Sequence, residues 1–259
     1  MRRPFDPVYS TAIAAGLGLF RFWRLKPHAS GAEHLPDAGG AVLAMTHFGY
    51  LEFALAEWMV WRHNRRHVRF LAKRGVFEKP GVGWLLRGMR HIPVDMAAGA
   101  EAYRAALKAL QTGELVGVFP EAGVSASFTV RDLKTGAARL AAEAGVPLIP
   151  VAGWGGHRLL TKNRKIAGRD RFGVPVHFCF GAPIEVAGGA DVRAVTDELH
   201  STMQRMVDRL QAEYPVDGTG QWWQPRHLGG TAPTPVEAAE ADRIRNARRE
   251  AERIARTER

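Results

Sequence analysis

The chain has 259 residues, 46% of them hydrophobic and 24% charged. That length buries a sizeable core, and the balance excludes a wholly disordered chain, a collagen and a polytopic membrane protein. A single cysteine, Cys179, excludes an internal disulfide framework and a cysteine-only metal site, while 36 Lys+Arg against 26 Asp+Glu leave a net charge of +10. Such a charge suits an anionic partner: a phospholipid surface, a nucleic acid or a phosphorylated small molecule.

Residues 8–20 carry no charge. The run is too short for the roughly 20 residues a bilayer-spanning helix needs. Arginines precede it and Arg21-Phe22-Trp23-Arg24 follows it, with no small-residue cleavage site. Residues 1–26 therefore read as an N-terminal helix. It is either interfacial, with Trp23 near the headgroups, or part of the core.

Residues 27–214 alternate short apolar runs with helical patterns. Strands are expected at 41–45, 68–71, 91–94, 115–119, 148–152 and 174–180. Helices are expected at 48–61, 100–111 with Gly113 beyond as a stop, 132–144 ending at Gly145, and 191–214. Residues 27–36 read as a loop. The alternation predicts a single α/β domain with a mixed or largely parallel sheet flanked by helices. Residues 215–235 are rich in Gly, Pro and Thr and read as a linker. The last 24 residues hold seven arginines and six acidic residues, so the basic excess lies upstream. Without a wide apolar stripe, this charged tail reads as a solvated helix, with a partner-binding helix as the alternative.

His47 follows the apolar run 41–45 and opens a helical pattern, Thr46-His47-Phe48-Gly49-Tyr50-Leu51-Glu52. The end of a strand feeding a helix is where α/β sheets place reactive groups. Glu52, five residues on, can carry a carboxylate back to the imidazole, fix its tautomer and stabilise the imidazolium. With ten histidines the spacing alone is ordinary, and His28 with Glu33 repeats it. A second block, Phe119-Pro120-Glu121-Ala122-Gly123-Val124-Ser125, ends another strand. It would point its carboxylate to the same sheet edge, and the turn amides suit an anion or a hydroxyl. Lys73, Arg74 and Lys134 are candidate phosphate contacts. His63 and His67 have helical spacing without a matching third ligand, so no metal site is expected. Cys179 sits in a strand-like run and reads as core.

Taken in order, these blocks resemble the phospholipid and glycerol-phosphate acyltransferase family of the lysophosphatidate type, over about residues 20–184. The family's His-x4-Asp motif is matched by His47 and Glu52, and its Pro-Val-Asp-Arg-like block by Pro93-Val94-Asp95. Its Phe-Pro-Glu-Gly block is matched by Phe119-Pro120-Glu121, and its Val-Pro-Ile-Val-Pro-like strand by residues 146–150. Four positions depart: Glu52 replaces Asp, Ala122 replaces Gly, and Met96 and Val124 stand where arginines are expected.

The resemblance implies transfer of a fatty acyl group to the hydroxyl of a lysophospholipid such as 1-acylglycerol 3-phosphate, in phospholipid biosynthesis. The donor would be an acyl thioester of coenzyme A or acyl carrier protein, with no other cofactor. His47 would be the general base and Glu52 its orienting partner, without a covalent intermediate. Glu121, Ser125, Phe119 and Pro120 would hold the acceptor, with Lys73, Arg74 and Lys134 lending positive field. Phe48, Leu51, Trp58 and Trp84 are possible walls for the acyl chain. The protein would lie peripherally on an anionic membrane, at its cytoplasmic face. The substitutions at Glu52, Met96 and Val124 also fit a catalytically inactive, lipid-binding relative at the membrane surface. Nucleic acid is not an expected partner: no RNP-like aromatic block, zinc-finger spacing or basic recognition helix is present.

Overall fold

Strand β2 (Ala41–Met45) lies in the middle of a seven-stranded sheet and is buried along its whole length. The computed structural model describes residues 6–95 and 99–257, so Met96 lies outside the described residues. The other strands are β1 (Lys26–Ser30), β3 (Val68–Lys73), β4 (Ile92–Val94), β5 (Leu115–Val118), β6 (Leu148–Trp154) and β7 (Pro175–Phe180). Their spatial order is β1-β7-β6-β2-β5-β3-β4, parallel throughout except for the antiparallel β6–β7 pair.

The apolar run of β2 is continuous because both faces of the sheet are covered. Leu43 and Met45 join a cluster with Leu55, Met59 and Phe178. Val42 and Ala44 join a second cluster with Ala106, Ala138, Leu199 and Met203. Alternate side chains leave a strand on opposite faces, so one run feeds two cores. The first core is covered by α1 (Pro7–Phe22) and α2 (Glu52–Asn64); the second by α5 (Gly99–Gln111), α6 (Gly136–Ala144) and α7 (Val192–Ala212).

The expected α/β architecture is present, with three local differences. Residues 27–36 are not all loop: β1 pairs in parallel with β7 at the sheet edge. An edge strand is half exposed, so its Lys-Pro-His-Ala-Ser sequence carries no apolar pattern. The helix expected from residue 48 starts at Glu52, and the one expected from 132 starts at Gly136. Lys134 N–H donates to the Pro120 carbonyl at 2.9 Å, which keeps the approach to α6 extended. Two short helices, α3 (Arg74–Phe77) and α4 (Val82–Gly88), occupy the stretch between β3 and β4.

The N-terminal helix α1 is both packed and exposed. Asp6 caps it by accepting the Tyr9 N–H at 3.1 Å, and Tyr9 donates its hydroxyl to the Val68 carbonyl at 2.7 Å. Tyr9, Ile13 and Phe20 are buried, while Leu19 and Phe22 face outward. No helix among the described residues is long and apolar enough to cross a membrane.

Residues 215–235 are not a free linker. Trp223 is only 3% exposed and packs with Trp154, Phe128 and Met206. Its carbonyl accepts from His157 Nε2 at 3.1 Å, and burial pushes the His157 imidazole down to about 3, so that ring is neutral. The tail then forms α8 (Pro235–Thr257). Its start is a capping box: Thr234 N–H donates to Glu237 Oε2 at 2.8 Å and Glu237 N–H to Thr234 Oγ1 at 3.2 Å. Trp223→Ala should therefore cost about 3–5 kcal/mol of folding stability. Urea denaturation measures it, and a loss below about 1 kcal/mol would mean this segment is not part of the core.

Candidate functional site

Loops from the carboxyl ends of three parallel strands meet at one edge of the sheet. His47 follows β2, Phe119-Pro120-Glu121 follows β5, and Lys73 ends β3. Open α/β sheets bind ligands at that edge.

The turn carrying His47 is held from two sides by buried carboxylates. Glu52, 1% exposed, accepts the Phe48 N–H with both oxygens, at 3.0 Å and 2.8 Å. Its Oε2 also stands 3.4 Å from His47 Nδ1. Burial pushes the Glu52 carboxyl up, and the His47 bond and charge with the Gly49 and Phe48 amides pull it part of the way back. Glu121 accepts the His47 N–H at 2.8 Å with Oε1 and the Arg131 N–H at 3.1 Å with Oε2. Burial pushes its carboxyl up to about 8 despite those two amide bonds. The His47 carbonyl accepts the Ser125 N–H at 2.7 Å. Gly49 completes the turn by close approach: a Cβ there would stand 2.9 Å from the Leu160 carbonyl oxygen and from His157 Cα.

The His47 side chain remains 19% exposed and stacks on Phe119, with ring centroids 4.2 Å apart. When Nδ1–H donates to Glu52, Nε2 carries the lone pair and can accept a proton. The ring lines a polar cavity of about 250 Å³ together with Tyr50, Lys73, Gly123, Val124 and Arg131. Residues Lys162, Asp242 and Arg245 line it as well.

The expected site residues divide. His47, Glu52, Phe119 and Lys73 converge here, with Glu52 behind the imidazole and Lys73 on the cavity wall. Glu121 and Ser125, expected to hold an acceptor, have their polar atoms engaged by the protein itself. The Ser125 hydroxyl donates to the Thr129 carbonyl at 2.8 Å and contacts Ser127 Oγ at 3.1 Å. Pro120 and Lys134 line a separate, mostly apolar cavity of about 190 Å³ with Phe119, Ala122, Leu71 and Leu140. Arg74 is exposed and pairs with Asp95 at 3.4 Å and Glu101 at 3.6 Å. Among the suggested acyl walls, Phe48 is core beside Trp154, while Leu51 and Trp58 pack on the first core cluster. Trp84 is exposed and lines an apolar surface groove of about 560 Å³ with α1. His67 is occupied by Glu57 at 3.0 Å, and Cys179 is buried in β7.

The wall residues Arg131, Lys162, Asp242 and Arg245 were not expected. Arg131 could have been suspected from its nearness to the Phe-Pro-Glu block. Nothing in the sequence marks Asp242 or Arg245 among the charges of the tail. In the structure Asp242 accepts from Lys162 Nζ at 2.6 Å and from Arg245, and stands 3.4 Å from Arg131 Nη1. Burial pushes its carboxyl up, but the Lys162 and Arg245 bonds and charges outweigh that and hold it below the usual carboxylate range. The tail is therefore not simply solvated: one turn of α8 is docked on the site.

Residues 26–154 match the acyltransferase family. The chain is 28% identical over 182 residues to a 1-acyl-sn-glycerol-3-phosphate acyltransferase of Bacillus subtilis (strain 168), covering 69% of this chain and 86% of that one. A chloroplastic 1-acyl-sn-glycerol-3-phosphate acyltransferase of Arabidopsis thaliana is 24% identical over 157 residues, 57% of this chain and 42% of that protein. The crystal structure of the 1-acyl-sn-glycerophosphate acyltransferase of Thermotoga maritima superposes with a TM-score of 0.67 at 22% identity, covering 80% and 81% of the two chains. Residues 26–154 of the chain form an acyltransferase-family domain.

The buried Glu121 has a consequence for stability. A carboxyl raised in the folded state binds a proton that the unfolded chain has already released between its ordinary value and about 8. Stability should therefore fall as pH rises from about 5 to 8, by at most about 1.4 kcal/mol per pH unit from this group. Glu121→Gln, which mimics the neutral acid, should flatten that slope in urea denaturation at stepped pH; an unchanged slope would show that Glu121 is ionised throughout.

Proposed function

We propose that the protein transfers a fatty acyl group from a thioester of coenzyme A or acyl carrier protein to the hydroxyl of a lysophospholipid, with 1-acylglycerol 3-phosphate the first candidate. The observation that carries the reading is the His47 imidazole, backed at Nδ1 by buried Glu52 and open to a cationic cavity. Relatives named for this reaction in Bacillus and in chloroplasts support it.

In this reading Nε2 of His47 takes the proton of the acceptor hydroxyl as its oxygen attacks the thioester carbonyl carbon. The C–O bond forms, the tetrahedral intermediate collapses, and the C–S bond breaks. The imidazolium then returns the proton to the departing thiolate. Glu52 stabilises the imidazolium and keeps Nδ1 protonated, so Nε2 is the basic nitrogen. The Phe119 ring covers one face of the imidazole and limits its rotation.

The same reading places the protein on a membrane surface. Val82, Trp84, Leu19 and Phe22 are exposed large apolar side chains on α4 and α1, beside the apolar groove between those helices. Exposed apolar patches of this kind mark protein or lipid contacts.

His47→Ala should lower turnover by about 10³-fold without unfolding the protein. Product analysis with mixed lysolipids and acyl donors measures it, and wild-type turnover in this variant would remove His47 as the base. Glu52→Gln should lower kcat by about 100-fold while KM changes little. A rise in KM alone would make Glu52 a binding residue instead.

A further inference from the structure

The cavity at His47 is not built by the acyltransferase domain alone. Asp242, Arg245 and Asn246 come from α8, more than a hundred residues beyond the Phe119-Pro120-Glu121 block. The helix is fixed there by its capping box and by Arg226, whose guanidinium pairs with Glu237 at 2.9 Å.

The charges around the cavity do not balance. Lys73, Arg131, Lys162 and Arg245 line it, and among the described residues Asp242 is the one acidic side chain on its wall. That carboxylate is shared: Oδ1 takes Lys162 and Arg245, and Oδ2 faces Arg131. Lys73 makes no ion pair among the described residues. Four cations around one anion in a small recess repel one another until a further anion enters. The Arg245 guanidinium is already oriented, since Nη1 donates to Asn163 Oδ1 at 3.0 Å and Nη2 to Asp242. A guanidinium held by neutral and acidic partners keeps its remaining edge for a bidentate oxyanion. Buried Val124 lines the same cavity and supplies no charge.

We propose that α8 completes the acceptor site, and that Arg245, with Arg131 and Lys73, binds the phosphate of the acceptor lipid. This rests on the reaction proposed above. The size of the cavity selects the acceptor over the donor. In 1-acylglycerol 3-phosphate, two carbons and an ester oxygen separate the reacting hydroxyl from phosphorus. A hydroxyl at His47 therefore leaves its phosphate inside the same 250 Å³ recess. The phosphates of coenzyme A or a carrier-protein arm lie a whole pantetheine chain from the thioester, too far to share it.

The test is calorimetric binding to the full-length protein of three probes: 1-hexanoylglycerol 3-phosphate, 1-hexanoylglycerol and decanoyl-coenzyme A. Arg245→Gln should weaken the phosphate-bearing probe about tenfold or more, and Arg245→Lys less. Both should leave the other two probes within about twofold. Lys73→Gln, at an exposed site with no ion pair among the described residues, should repeat the selective loss more weakly and serves if the Arg245 variants do not fold. Unchanged affinity for the phosphate-bearing probe, or an equal loss for the neutral one, overturns the proposal. A loss confined to decanoyl-coenzyme A also overturns it and moves the cluster to the donor. A wild-type protein that binds the phosphate-bearing probe selectively through Arg245 but acylates no lysolipid refutes the proposed reaction and leaves this assignment standing. One that acylates lysolipids while Arg245→Gln keeps every constant does the reverse.

Discussion

Two carboxylates removed from water hold the main chain at His47, and the geometry of the site follows from them. Glu52 takes the N–H after His47 and Glu121 takes the N–H of His47 itself. Burying a carboxylate is unfavourable unless its oxygens are occupied by good donors. Here the donors are backbone amides: those of His47 and Phe48, which helix α2 could not satisfy because they precede its first residue, and that of Arg131 on the second oxygen of Glu121. The need to compensate two buried acids and the need to satisfy several orphan amides thus meet in one place. The outcome is a turn that cannot relax without exposing both sets of groups.

That arrangement accommodates two departures from the family's motif at this edge. Glu52 is one methylene longer than the aspartate it replaces, and it is also the first residue of α2. From there the longer chain folds back over its own turn, so one carboxylate spans both the Phe48 amide and the imidazole at 3.4 Å. Ala122 is a different case. Its backbone sits at φ 56°, in the left-handed region that glycine enters freely and alanine does not. The family's glycine at this position has a backbone reason, and alanine here carries strain of order 1 kcal/mol. The strain is borne by a turn pinned on both sides, by Glu121 amide bonds and by the Ser125 N–H to the His47 carbonyl.

How much could be read in advance depended on whether a residue's partners were near in sequence or far. The central strands were legible because burial on both faces forces a continuous apolar run, as in β2 and β6. Strand β1 was not, since an edge strand exposed on one side imposes no such pattern. Of the site, His47, Glu52 and Lys73 were legible from the strand-end rule and the motif order. For Glu121, spacing cannot reveal that two amides, 74 and 10 residues away, claim both oxygens. Asp242 and Arg245 were invisible for the same reason: in a tail of alternating charges, only tertiary docking singles out one pair.

The position of Phe119 ties these features together. Its ring stacks on the His47 imidazole and also lines the neighbouring apolar cavity with Pro120, Ala122 and Leu140. The imidazole thus lies at a boundary: the cationic recess opens on one side, and an apolar space begins behind the aromatic ring. The proposed reaction, which joins a charged headgroup to an apolar chain, needs such a boundary, because neither component is stable in the other's surroundings. The strand β5 that ends at Val118 and the tethered turn after β2 place the two rings in contact, and the docked turn of α8 adds Asp242 and Arg245 to a recess that Lys73, Arg131 and Lys162 also line. The division of the site into two environments is therefore built from three distant parts of the chain, and the acyltransferase motifs account for only two of them.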